Sequence, residues 1–154
     1  MAKKLISLVL VLILVCTILV PVSASSVDQI GSYTITAPYV YPVLPGTDEW
    51  QSLNIDQRIA VSHVDEDVVE NMTTEAVLVT TLNYPFIVNI YAYGKADEGI
   101  RVVQGYCSPL AELLDRDDAL QVISSYLDEA EDTESTEYIV ADDLREYIET
   151  SKSA

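Results

Sequence analysis

With 25 acidic side chains against 8 basic ones in 154 residues, the chain carries a formal charge of -17. A surface so negative repels phosphate, which excludes nucleic acid and anionic lipid as surface ligands and favours a basic partner or cations. One histidine, with the one cysteine that lies beyond the amino-terminal apolar run, cannot supply a structural zinc site, and the length suits one domain.

The first predicted element is a secretory signal peptide over residues 1–24. Lys3 and Lys4 open it, Leu5 to Val20 is apolar except for Ser7 and Thr17, and Pro21-Val22-Ser23-Ala24 is a cleavage box ahead of Ser25. Retained as an anchor, the apolar run would make about 24 Å of helix, short of a hydrocarbon core of roughly 30 Å. Cleavage is the better reading, giving a secreted or extracellular product. If the signal is kept, the protein is cell-surface associated and meets the membrane through that segment only. Ile13-Leu14-Val15 lacks the small residue that would precede a lipidated Cys16. Cleavage removes Lys3, Lys4 and Cys16, so the product is more acidic than the precursor and Cys107 has no intrachain disulfide partner. Its neighbours Tyr106 and Ser108-Pro109-Leu110 suit a buried, structural thiol.

Residues 25–47 form an expected extended arm. Pro38, Pro42 and Pro45, with Gly31 and Gly46, exclude a helix there. Tyr33-Thr34-Ile35-Thr36 has strand-like chemistry but no second strand to pair with. Tyr33, Tyr39 and Tyr41 are the candidate interaction residues, docking onto the domain or onto another protein.

Helical signals follow over residues 48–150. Thr47 or Asp48 caps a turn holding Trp50 and Leu53, Asp56 caps Gln57 to Val61, and Asp65 starts a short helix through Met72. Thr73 caps Thr74 to Leu82, where Glu75 suits the helix dipole although the valines and threonines would also suit a strand. Tyr84-Pro85 ends that element, Phe86 to Tyr93 is the next helix, and Gly94 closes it. Ala96 to Gln104 carries a narrow stripe of Ile100 and Val103. Ser108 is the expected cap and Pro109 the first helical position of a helix carrying Leu110, Leu113 and Leu114, with Asp115 and Asp117 as caps at the junction that follows. Ala119, Val122, Ile123, Tyr126, Leu127 and Ala130 form the strongest amphipathic stripe. A last helix carries Val140, Leu144, Tyr147 and Ile148, with Arg145 and Glu149 paired. The fold class is therefore all-α: a compact acidic domain of about seven short helices, in orthogonal or helical-repeat-like packing, after a signal peptide and an extended Pro/Tyr-rich arm.

Three blocks, Tyr41-Pro42-Val43-Leu44-Pro45-Gly46-Thr47-Asp48-Glu49-Trp50, Asn71 to Ala76 with Leu82-Asn83-Tyr84-Pro85, and Leu113 to Ala119, resemble a family of small exported helical proteins from clostridia-like Gram-positive bacteria. The resemblance spans about Tyr41 to Tyr126. It implies an exported helical domain and a Gram-positive host, and it transfers no activity and no catalytic residue. The same blocks have a structural reading: Trp50, Tyr84 and Pro85 are structural anchors, the indole tying down the arm and Tyr84-Pro85 setting the angle between two helices.

No catalytic, cofactor-binding or metal-binding residue is assigned. Ser62 and His63 are neighbours on a short helix and do not face each other, so they do not make a nucleophile and base despite the nearby Asp65. Asp65-Glu66-Asp67, Asp115 to Asp118 and Asp128 to Glu134 lack the alternation and central glycine of a calcium loop, which leaves only weak, diffuse calcium binding. Leu44-Pro45-Gly46-Thr47-Asp48 resembles a sortase signal but has Asp at its fifth position. Asn71-Met72-Thr73 is a glycosylation sequon only in a eukaryotic secretory route. The leading expectation is a non-enzymatic exported interaction module with a protein partner. The alternatives are a carboxylate-dependent hydrolase of an extracellular polymer, which needs two acidic side chains in one pocket, and an accessory or inhibitor protein of an exported enzyme.

Overall fold

Thr73 turns the chain out of extended geometry and its hydroxyl accepts a hydrogen bond from Ala76 N at 3.3 Å, opening the helix around which the others assemble. That helix, Thr74–Leu82, is α4 in the computed structural model, which describes residues 33–151. The expected signal peptide and the start of the arm, residues 25–32, lie outside the described residues. Before α4 come α1 (Asp48–Ser52), α2 (Ile55–Val61) and α3 (Glu66–Glu70). After it come a 3-10 helix (Ile87–Tyr93), α5 (Ala96–Gln104), α6 (Ser108–Asp115), α7 (Ala119–Glu129) and α8 (Thr136–Ser151). Among the described residues the protein is all-helical, with an isolated bridge in place of strands.

Seven of the nine positions of α4 are buried, including Ala76, Val77, Leu78 and Leu82, and it packs against α6, α7 and α8. Its threonines satisfy themselves locally: Thr80 and Thr81 donate to Ala76 O and Val77 O at 2.7 and 2.9 Å. No other backbone offers this segment a ladder, so the helix-or-strand ambiguity resolves to helix, with only the Glu75 and Val79 face left open. Around it, Ile100 and Val103 of α5, Leu110 and Leu113 of α6, Ala119 and Ile123 of α7, and Val140, Leu144 and Ile148 of α8 complete one core.

Several local expectations need correction. Asn54, not Asp56, caps α2: its side chain accepts from Gln57 N at 3.0 Å while Gln57 Oε1 accepts from Asn54 N at 2.9 Å, a reciprocal box that leaves Asp56 in the first turn. Helix α2 begins two residues earlier than expected, at Ile55, because Asn54 takes the extended cap geometry, whereas α3 stops at Glu70, short of the expected Met72, with Asn71 as its C-cap and Thr73 already extended to begin the next element. The segment after Pro85 is a 3-10 helix, in which the two buried residues Ile87 and Ile90, three apart, share one edge. Ser108 does not cap α6; its hydroxyl donates to Val64 O at 2.7 Å. Asp118, not Asp117, occupies the N-cap position of α7, and its carboxylate accepts from the Thr74 hydroxyl at 2.8 Å. Gly94 closes the 3-10 helix in left-handed geometry, φ 79°, as its position implied.

The described part of the arm is laid onto the domain. Ile35 bridges the α3–α4 junction, donating to Asn71 O at 2.7 Å and accepting from Thr73 N at 2.8 Å. Farther on, Tyr39 N donates to Thr80 Oγ1 at 2.9 Å and the Tyr41 hydroxyl to Thr80 O at 3.2 Å. A file of rings then runs Tyr39–Tyr41–Tyr84–Phe86–Trp50, with successive centroids 5.2, 6.0, 5.9 and 5.3 Å apart. Arg58 closes its far end, with its guanidinium 5.4 Å from the Trp50 ring and its Nε donating to Trp50 O at 3.0 Å.

Among the described residues no single helix is long and apolar enough to cross a membrane. The pair of α4 and the 3-10 helix passes together on length and composition, bent by 64°. Most of α4 is spent inside the domain's own core.

Candidate functional site

The residues singled out from sequence have divergent positions. Tyr41 is 3% exposed and Tyr39 half-buried, both inside the ring file, while Tyr33 is 59% exposed. Tyr33 is thus the one of the three with most of its surface open to a partner. Trp50, Tyr84 and Pro85 are buried. His63 is exposed and lies 3.5 Å from the exposed Asp65, whereas Ser62 is buried with its hydroxyl given to Arg58 O at 2.8 Å. No nucleophile–base contact joins Ser62 to His63 in this arrangement.

The most built surface feature is a groove between α4 and α7 of about 360 Å³. Thr73 places Glu75 in the first turn of α4, and one turn on, Leu78 and Val79 reach the groove floor. From α7, Val122 and Tyr126 complete the floor, and Gln121, Ser125 and Glu129 stand at its edge. Val122 and Tyr126 are half-buried because Ala119 and Ile123 occupy the centre of the α7 stripe and leave its flank uncovered. An adjoining cleft of about 360 Å³ shares Tyr126 and Glu129 and adds Glu131 and Asp132. The result is an apolar floor with carboxylates on both helices, an arrangement that takes apolar side chains flanked by positive charge.

A second acidic cleft, of about 340 Å³, is lined by Glu66, Glu70, Glu112 and Asp115. Glu112 there is committed to Arg116, whose Nε donates to it at 2.8 Å. Among the described residues no group of three or more His, Cys, Asp or Glu side chains is placed to hold a metal ion.

Burial displaces the protonation of several groups. It drives the phenols of Tyr41 and Tyr84 upward, with the nearby Cys107 adding to both. Tyr91 is raised by burial and by donating to Asp143 at 2.7 Å, and Tyr126 by burial and the charge of Glu137. The Cys107 thiol, free and 1% exposed, is pushed up from 9.0 to about 12 by burial. Between those two values the unfolded chain has released this proton and the folded chain has kept it, so stability falls as pH rises, by about 1.4 kcal/mol per pH unit for each such group. Urea denaturation across that alkaline window is expected to show this decline. Cys107→Ala should have a flatter dependence, and an unchanged slope would place the titration elsewhere.

The chain matches no protein-family model, no curated protein and no solved structure. The groove therefore has to be read from its own chemistry. Sequence reasoning gave Glu75 only a helix-dipole role, left Glu129 on the polar side of the α7 stripe and assigned nothing to Gln121 and Ser125. The available signal was the width of the α7 stripe, whose flank at Val122 and Tyr126 exceeds what one neighbouring helix covers.

Proposed function

We propose that this is an exported, non-enzymatic interaction module that engages another protein through its acidic helical face. The observation that carries the reading is the α4–α7 groove, an apolar floor edged by Glu75 and Glu129. Interior polar groups elsewhere are used to hold the fold: Thr80 and Tyr41 tether the arm, Ser108 ties α6 to Val64, and Arg116 bridges four backbone and side-chain acceptors beyond Glu112. Export is supported by the signal-peptide pattern of residues 1–24, and the resemblance to exported Gram-positive proteins points to the cell surface or medium as the place of action.

The test is chemical cross-linking of the tagged full chain at the producing cell's surface and in its medium, followed by reconstitution with the purified partner. A single protein that cross-links and rebinds in purified form is the expected result. Cleavage of a cell-wall polysaccharide or peptide by the purified chain, lost in Glu75→Gln or Glu129→Gln, would replace this reading with a hydrolase.

A further inference from the structure

We infer that the α4–α7 groove receives a basic amphipathic segment of a partner protein, seating an apolar side chain on Leu78, Val79, Val122 and Tyr126 with lysine or arginine against Glu75 and Glu129. The inference rests on the interaction-module reading above and specifies its partner.

Three features of the groove select this occupant. First, its floor is apolar and concave: Leu78 is 1% exposed, and Val79, Val122 and Tyr126 each retain part of their surface, so an inserted aliphatic or aromatic side chain removes apolar area from water on both partners. Second, the carboxylates come from both walls, and no lysine or arginine lines the groove or the adjoining cleft that adds Glu131 and Asp132. Third, Glu129 stands in the last turn of α7, where the carbonyl ends of the helix already make a negative pole, and no basic residue stands in that turn to offset it. Charge and dipole thus add at one end of the groove, which is where an incoming cation gains most. A second copy of this chain would bring a like charge of -17 and be repelled, and an acidic segment would be repelled for the same reason.

Calorimetric titration of the full chain with three synthetic peptides tests the inference: an amphipathic leucine–lysine helix, a leucine–glutamate helix of the same pattern, and a lysine–serine peptide. Binding of the leucine–lysine helix alone is expected. The double variant Glu75→Lys/Glu129→Lys should weaken it by about tenfold. Asp97→Lys/Glu146→Lys makes the same charge change on exposed sites of α5 and α8, and should weaken it by less than about threefold, the residue of a general field effect. Circular dichroism of each variant confirms that the helices persist. Equal weakening by the two variants, or equal binding of lysine–serine, would show diffuse attraction and overturn the groove assignment, as would no binding at all. A partner that still cross-links and rebinds in either case leaves the interaction-module reading standing and moves its surface elsewhere. Loss of both removes the module reading itself.

Discussion

Gly99→Ala is expected to destabilise the domain by about 4 kcal/mol or more, the largest effect of any single methyl group here. Gly99 is buried on α5, and a Cβ there would stand 1.7 Å from Ile90 O, 2.4 Å from Ile90 C and 2.6 Å from Ile90 Cα. Those atoms belong to the backbone of the 3-10 helix, so no rotamer change relieves the clash. Helix α5 must lift from the 3-10 helix, uncovering Ile90, Ile100 and Val103, all 0% exposed. With total stabilities of roughly 5 to 15 kcal/mol for domains in general, a loss of that size removes much of the margin and lowers the melting temperature by roughly 10 to 15 °C. The other glycines calibrate the measurement. Gly105→Ala meets only Val102 O at 3.3 Å and should change stability by less than about 1 kcal/mol. Gly94→Ala has open space but a φ of 79°, and should cost about 1 kcal/mol from backbone strain alone. Urea melts of the three variants give the ranking. A Gly99→Ala protein as stable as Gly105→Ala would mean that the two helices are not in backbone contact.

Gly99 also shows which parts of this molecule could be read from the chain. The stripe of Ile100 and Val103 announced a helix over Ala96 to Gln104 with the right face inward, and the structure has it at those residues. The role of the glycine inside it was not legible, since the backbone it approaches belongs to another segment. Elements set by neighbours in sequence were legible: the Thr73 cap, the Gly94 closure and the α7 stripe all depend on residues within about four positions. Elements set across the fold were not. The tether of Tyr41 depends on Thr80, 39 positions away, and Trp50 meets Phe86 through ring packing that has no sequence period. The groove belongs to the same group. Val122 and Tyr126 of its floor were legible as part of the α7 stripe, but Leu78 and Val79 had no assigned face, and which flank of α7 stays open depends on where α4 crosses it. The acidic rim was hidden by abundance, because with 25 carboxylates in the chain no pair stands out until two helices bring one together.

The second large effect is expected at a charge that the sequence offered only as part of an acidic junction. Arg116 is the C-cap residue of α6, and its side chain, 17% exposed, reaches back to the end of α3. Its guanidinium donates to Met72 O at 2.8 Å, to Val69 O at 3.2 Å, to Glu70 O at 3.4 Å, to Thr74 Oγ1 at 3.4 Å and to Glu112 Oε1 at 2.8 Å. A helix end leaves carbonyls without intrahelical donors, and here one planar cation serves several of them while fixing the α6–α7 junction against the α3–α4 junction. Arg116→Ala leaves those partly buried carbonyls and Glu112 without it, at a cost of about 3 kcal/mol. Two companions separate the causes. If the ion pair with Glu112 carried the effect, Glu112→Gln would reproduce most of it; with carbonyl capping dominant, that variant costs less than about 1 kcal/mol. Arg116→Lys keeps the charge but loses the fork, so it should recover well under half of the loss. Urea denaturation of the three proteins decides between them, and hydrogen exchange at α3 localises the effect: its amides should lose protection in Arg116→Ala before those of α4. Full stability in Arg116→Lys would show that charge alone, without directed hydrogen bonds, holds the two junctions together.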